Sequence, residues 1–283
     1  IMYFQDIILS LQKFWISKGC ILLQPYDSEV GAGTSHPATV LRCLDPMPWN
    51  ICYVQPSRRP ADGRYGENPN RVQHYYQMQV IMQPSPENMQ QLAIKSLQQV
   101  SISCKEHDIR FVADDWQNPS LGASGLGWEV WCDGMEIVQY TYIQQLGSIP
   151  CTTIPCEVTY GLERLAMYIQ NKSSIWDIEW NEQGVTYADV FMESEKQYCK
   201  YNFEHANIDV LREHFNYYLE EAQRLVGHGV IQPAYDHCLK ASYMFNLLDA
   251  RGAIGVADRV ICIKQIRDMT KICCRAWIDR KGN

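Results

Sequence analysis

The sequence contains no apolar run approaching the roughly 20 residues that a helix needs to span a bilayer. That excludes a helical membrane protein. Its 12 cysteines form no C-x-x-C pair and its 7 histidines form no H-x-x-x-H pair. No spacing therefore supports a structural zinc site, and none is expected. Cys151 and Cys156 stand close in "CTTIPC", and Cys273 and Cys274 are adjacent in a helical stretch. The chain is long and shows no secretory signal, so scattered, mostly buried thiols in a reducing cytoplasm are expected. There is no G-x-x-x-x-G-K-[ST] and no G-x-S-x-G, which removes the P-loop and the nucleophile elbow. "GAGT" (31–34) and "LGASGLG" (121–127) read as turns between strands. Regular strand–helix alternation is missing, which argues against a doubly wound nucleotide fold. A positive balance is also missing: the net charge is −7. A broad nucleic-acid face is usually basic. The chain then binds no nucleic acid, touches it locally, or leaves most of that work to a partner chain.

What is present is an ordinary globular composition, 46% hydrophobic and 20% charged, over 283 residues. That length can bury a sizeable core in one large domain or two smaller ones. Phe4, Ile7, Ile8, Leu11 and Trp15 recur at helical spacing, so the first segment is an amphipathic helix and not a signal peptide. "CILLQP" reads as a short buried strand stopped at Pro25. "NICYVQPS" and "VQHYYQMQVIMQ" read as strands rich in β-branched and aromatic residues, followed by a helix near 87–100. "DIRFVADDW" is another strand. Asp133-Gly134 is a two-residue turn signal that makes "GWEVWCDGMEIVQYTYIQQLG" a hairpin. "YGLERLAMYIQ" is a helix. Beyond residue 172 a strand-and-turn stretch, "SIWDIEWNEQGVTYADVF", precedes helices near 207–226, 233–249 and 256–279. Ile266, Met269, Cys273 and Trp277 form a packing stripe on the last. The expected organisation is α+β: a mainly antiparallel sheet with supporting helices over 1–172, then a mainly helical domain over 173–283.

Arg58, Arg59, Arg64 and Arg71 crowd a Gly- and Pro-broken loop between the second and third strands. Arginine's planar fork suits phosphate and never loses its proton. The competing reading is a solvated loop whose arginines pair with Asp62 and Glu67. Arg164 lies where a strand meets a helix start, a position that favours an anion; the competing reading is an ion pair with Glu163 or a neighbour. Glu129, Glu136 and Glu157 put carboxylates on strands expected to be buried. They call for a cation, such as magnesium or an ammonium group, or for pairing with those arginines. Gln77, Gln79, Gln139, Gln144 and Gln145 add further polar groups, which suggests a ligand-binding sheet face.

These segments resemble the three signature motifs of class II aminoacyl-tRNA synthetases. The first helix with "KGCILLQP" resembles motif 1, the dimer-forming element. "QPSRR" through "NRVQHYYQMQ" resembles motif 2, and "TYGLERLAMY" resembles motif 3. The blocks "QPYDSEVGAGTSHPAT", "YVQPSRRPADGRYGENPNRVQHYYQ", "GWEVWCDGMEIVQYTY", "EVTYGLER" and "FNLLDARGAI" are similar, over essentially the whole chain, to the α subunit family of bacterial tetrameric glycyl-tRNA synthetase. The resemblance implies a class II fold and a cytoplasmic enzyme that uses ATP and Mg2+ to form glycyl-adenylate. It implies transfer to tRNA-Gly with a separate β subunit, in an α2β2 assembly built on an α–α dimer through motif 1.

It also implies residue roles. Arg59 would grip the α-phosphate and the glycine carboxylate, with Arg58 a rival because the doubled arginine leaves the register open. Arg64 and Arg71 would hold the outer phosphates or the adenine end, with Glu67 and Gln77 in the same ATP site. Arg164 would meet the γ-phosphate, and Glu136 and Gln139 would serve magnesium and phosphate. For the glycine ammonium, Glu157 is the first choice and Glu129 the next, with Gln79, Thr141 and Thr159 as neighbours. Trp128, Tyr140 or Tyr142 would form the wall that rejects a methyl group. The chain departs from the family at Ser124, where a tryptophan is usual, and at Gly255, where a serine usually caps the last helix. Two other readings remain: a synthetase-like binding module that has lost catalysis, and a ligase that passes its adenylate to an amine or carrier protein.

Overall fold

Alternating side chains and a few turn residues set the strand pairing. The computed structural model describes residues 2–103 and 105–280. Its elements are α1 (Phe4–Ser17), β1 (Ile21–Leu22), α2 (Pro37–Val40), β2 (Trp49–Arg58), β3 (His74–Gln83), α3 (Met89–Gln98), β4 (Ile109–Asn118), β5 (Ala123–Cys132), β6 (Met135–Leu146), β7 (Ile149–Pro150), β8 (Cys156–Gly161), α4 (Leu162–Gln170), α5 (Tyr187–Lys200), α6 (Ile208–Gly227), α7 (Ile231–Ala250) and α8 (Val256–Asp279). The strands form one sheet in the order β1-β2-β3-β8-β6-β5-β4, with β7 paired to β6. All pairs are antiparallel except β1 with β2. Asp133 and Gly134 both take positive φ, 50° and 85°, which the tight turn between β5 and β6 requires. The fold is α+β, as the sequence pattern indicates.

The pleat sorts the sheet into two faces. One row runs Cys52, Val80, Val158, Tyr140 and Trp128 across paired strands. It packs on Phe4, Ile7, Leu11 and Trp15 of α1, Leu92 and Leu97 of α3, and Leu165 of α4. Buried hydrogen bonds pin these layers: Trp15 Nε1 donates to the Tyr160 hydroxyl (3.0 Å), which also meets Ser96 Oγ (2.5 Å). On the opposite face, Ile51, Tyr53, Ile81, Ile143 and Leu146 join Tyr235 and Cys238 of α7 and Met269, Cys273 and Trp277 of α8. The stripe on the last helix is thus buried packing, as expected. Gly255 stands at its N-cap with no side-chain cap.

Three features differ from the sequence expectation. Strand β1 is only two residues long and exposed, because it adds in parallel at the outer edge beside β2. Within "SIWDIEWNEQGVTYADVF" only one isolated bridge forms, Glu179 with Thr186. A helix, α5, begins at once after it, set by a reciprocal capping box between Thr186 and Asp189. The β-prone Val185, Thr186 and Tyr187 mask that signal. Finally, Trp128, Tyr140 and Tyr142 point into the α1/α3/α4 layer, one step in the pleat away from Thr141 and Glu157. They cannot wall a pocket on the other face.

Gly147 has φ +56°, and a Cβ there would lie 2.4 Å from Cys274 Sγ on α8. Gly147→Ala should therefore cost about 2 kcal/mol through overpacking and left-handed strain. Equilibrium urea unfolding checks this; an unchanged midpoint would mean that α8 does not close on this end of the sheet.

Candidate active site

The polar residues that the sequence distributes over several strands converge on the α7/α8 face. Across the paired strands one row runs Tyr53, Gln79, Thr159, Gln139 and Glu129; the next runs Ile51, Ile81, Glu157, Thr141 and Gly127. Beside them opens a cavity of ≈ 430 Å³ between the β2–β3 loop, β6, β8 and the start of α4. Arg59 and Arg164 both line it, with Arg71, Gln77, Glu136, Gln139 and Thr159. Two arginines far apart in sequence thus share one cavity.

Each cation is held differently. Arg59 donates from Nε to the Gly31 carbonyl (3.0 Å) and its guanidinium lies 5.2 Å from the centre of the Tyr75 ring. Arg164, in the first turn of α4, stays largely exposed, with Nη1 3.7 Å from Glu136 Oε2. Such a loose pair leaves its donors available. Arg71 pairs with Asp62 at 2.9 Å. Arg58 turns away from the cavity, its guanidinium 4.4 Å above the Tyr198 ring. Arg64 donates to the Ala61 and Gly63 carbonyls and, with Glu67, lines a separate shallow depression beside Phe203.

The floor is an interlocked polar chain. Gln77 Oε1 accepts from the Gly33 amide (2.8 Å), and its Nε2 donates to the Tyr75 hydroxyl (3.0 Å). Gln79 Oε1 accepts from Thr159 Oγ1 (2.8 Å). Glu157 Oε1 accepts from Thr34 Oγ1 (2.9 Å). The turn at Gly33–Ser35 covers this row; a Cβ on Gly33 would sit 2.3 Å from Gln79 Cγ, so only glycine fits. Gln79 and Glu157 consequently lie beneath the turn, and neither they nor the buried Thr141 stand on the cavity wall. Glu129 accepts from Trp131 Nε1 (2.8 Å).

Two buried carboxylates have an oxygen with no hydrogen-bond partner among the described residues, Glu157 Oε2 and Glu163 Oε2. Both residues are 4% exposed. Burial pushes Glu157 up to about 7, although Thr34 and Thr159 oppose it. Burial pushes Glu163 up to about 8 against the Tyr76 amide and the Tyr187 hydroxyl. Burial also raises Glu136, against the pull of its bond from Gln139; nearby Glu129 raises it further. Asp114 is raised too, by desolvation and then by Glu129. Mutual repulsion thus links Asp114, Glu129 and Glu136, and Glu136, with its carboxylate on the cavity wall, is an oxygen donor of the kind a hard divalent cation takes.

Sequence reasoning missed Tyr75, Asp62 and Glu163 as cavity residues. Tyr75 shares the strand alternation of Gln77 and Gln79, so the pleat could have found it. Thr34 was passed over because "GAGT" reads as an ordinary turn.

A sheet whose hairpin loop and strand–helix junction bring two arginines to one cavity agrees with the class II aminoacyl-tRNA synthetase motifs that the sequence resembles. The sequence model described as "Glycyl-tRNA synthetase alpha subunit" matches residues 4–282. The chain belongs to that family. The "Glycine--tRNA ligase alpha subunit" of Rickettsia bellii (strain OSU 85-389) is 54% identical over 283 residues, covering 99% of this chain and 98% of the relative. That of Rickettsia prowazekii (strain Madrid E) is 55% identical over 280 residues, covering 98% and 97%. A solved structure of Desulfitobacterium hafniense PylSc, a pyrrolysyl tRNA synthetase, aligns with 65% of this chain and 76% of its own at 11% identity and a TM-score of 0.45. Likeness at that level adds no weight to the assignment.

The raised carboxylates predict a pH dependence. Glu157 and Glu163 hold protons in the folded chain that they release in the unfolded chain above the ordinary value of 4.5. Folding stability should therefore fall as pH rises from about 5 to about 8, since the folded state binds more protons there. Glu163→Gln should flatten part of this slope in urea unfolding at several pH values; an identical slope would mean that Glu163 is not held protonated.

Proposed function

We propose that this chain activates glycine with ATP and, with a β subunit, passes the glycyl group to tRNA-Gly. The observation that carries the reading is the shared cavity of Arg59 and Arg164. In-line attack of the glycine carboxylate on the α-phosphate expels pyrophosphate and develops charge on phosphate oxygens. Positioned cations stabilise that charge without a protein nucleophile. Arg59 would bridge the α-phosphate and the glycine carboxylate. Its place in the cavity favours it over Arg58. Arg164 would meet the γ-phosphate, and Arg71, exchanging Asp62 for phosphate, the outer phosphates or the adenine end. Gln77 and Gln139 would line the nucleotide. Arg64 and Glu67 would reach ATP only if their loop moved inward. Glu136 would hold Mg2+, with Glu129 and Asp114 beside it. When bound, that ion supplies charge neutralisation between phosphate oxygens.

Glu157 would receive the glycine ammonium on its partnerless oxygen, with Gln79, Thr141 and Thr159 around it. Reaching it requires the Gly33–Ser35 turn to shift, and a small amino acid asks for the smallest shift. Residues 1–172 would carry the chemistry and 173–283 the helical support. Self-association would use the motif 1 surface, where Leu9, Ile16, Ile21 and Leu22 are exposed, giving an α2β2 assembly. No described helix is long and apolar enough to cross a membrane, and we place the enzyme in the cytoplasm.

Glycine-dependent exchange of pyrophosphate into ATP, measured with β present, tests the site. Arg59→Ala and Arg164→Ala should each lower it at least ~10²-fold, as loss of a transition-state donor does. Full exchange in either variant would move the site elsewhere. Because burial holds Glu157 near about 7, glycine KM should fall as pH rises through that value, and Glu157→Gln should remove this dependence. A KM that ignores both pH and the substitution would assign the ammonium to another group, with Glu129→Gln the next variant to measure. Charging of tRNA-Gly separates the proposed ligase from one that transfers its adenylate to an amine.

A further inference from the structure

At the tip of the β5–β6 hairpin, away from the arginine cavity, four ligand-type side chains meet. Cys132 ends β5, Asp133 opens the tight turn, His107 precedes β4, and Tyr168 comes from α4. His107 Nδ1 lies 2.7 Å from Asp133 Oδ2. The Tyr168 hydroxyl donates to the same oxygen (2.6 Å), lies 2.9 Å from His107 Nδ1, and accepts from Cys132 Sγ (3.0 Å). One ligand atom each from His107, Cys132 and Asp133 lies within 4.8 Å of the others.

We propose that His107, Cys132 and Asp133 form a binding site for a borderline-soft divalent transition metal of the zinc type. A thiolate, an imidazole nitrogen and a carboxylate oxygen are the donor set such ions take. Bonds of ~2.0–2.3 Å in a tetrahedron separate ligand atoms by roughly 3.3–3.8 Å. The present spacings therefore need only a small opening of the exposed turn, with the ion replacing the shared protons. The framework already orients the ligands. Asp133 Oδ1 accepts from the Asp108 amide (2.9 Å), and the Asp133 amide donates back to the Asp108 carbonyl (2.9 Å). Contacts from Tyr168, the Asp108 amide and His107 converge on the Asp133 carboxylate and fix its direction. Tyr168 then serves as the outer hydrogen-bond partner that orients this carboxylate. Water completes the fourth position on the open side. Tyr168 follows Arg164 by one helical turn, so an ion here ties the hairpin that carries Glu129 and Glu136 to the helix that carries Arg164. This site is independent of the glycine and ATP reading. The absence of sequence spacing for zinc is no obstacle, because the ligands come from a loop, a strand end and a turn.

The test uses the full-length chain stripped with a chelator and titrated with Zn2+ and, separately, Co2+. One saturable equivalent is expected, with proton release on Zn2+ binding and a thiolate-to-cobalt charge-transfer band with Co2+. Cys132→Ser should abolish the band. Asp133→Asn, which keeps a residue favoured in this turn, should weaken Zn2+ at least ~10-fold, with the urea midpoint of the metal-free chain measured alongside to confirm that the variant is folded. Tyr168→Phe should weaken it by roughly 10-fold. Absence of stoichiometric binding or an unchanged band in Cys132→Ser would overturn the assignment.

Discussion

Burying amides, hydroxyls and a carboxylate on one face of a sheet obliges each polar atom to find a partner there. Much of the site follows from that constraint. Gln77, Gln79, Thr159, Glu157 and Thr34 satisfy one another in a continuous chain, and that chain clamps the Gly33–Ser35 turn over the sheet. An unpaired polar atom in such a place costs of order 1–3 kcal/mol. Two carboxylate oxygens, Glu157 Oε2 and Glu163 Oε2, are left without a partner among the described residues, and burial raises both groups in keeping with that. One lies beside the row proposed for the glycine ammonium, the other in the cavity wall next to Arg164.

The helices outside the sheet are part of this arrangement. Tyr235 of α7 donates to the Ser35 carbonyl (2.5 Å), so the far helical segment fixes the turn that covers Glu157. Glu195 of α5 accepts from the Gln73 amide (2.8 Å) at the end of the arginine loop, and Tyr187 reaches Glu163 (3.1 Å). A Cβ on Gly63 would lie 2.5 Å from Cys199 Sγ of α5, so the loop runs against this helix with no room to spare. The apolar core likewise runs across residue 172: Ile175, Trp176 and Tyr187 pack in the same cluster as α1 and α3. The polar sheet face is thus braced from both halves of the chain.

The acidic balance of the chain is consistent with a local cationic site. Arg59 and Arg164 are held by a carbonyl and a loose carboxylate contact, so their donors remain available to an anion. Arg58, one residue before Arg59, instead stacks on Tyr198 because alternation along the strand end sends it the other way. Neighbouring arginines of identical chemistry so acquire opposite environments.

Strand alternation, the Asp133-Gly134 turn and the apolar stripes of α1 and α8 are local properties, and the sequence by itself determined them. It also determined that arginines flank a polar sheet face, because that depends only on which residues occupy alternate positions. Helix α5 was legible in its Thr186–Asp189 capping box but was hidden by β-prone neighbours. Only the tertiary structure decided which arginines face the cavity, that Arg64 and Glu67 lie outside it, and that Thr34 meets Glu157. Those outcomes depend on aperiodic loops and on groups from distant segments. The fate of Trp128, Tyr140 and Tyr142 turned on a single step of the pleat. A residue's type names its chemistry; the face it occupies is set by strands paired far along the chain.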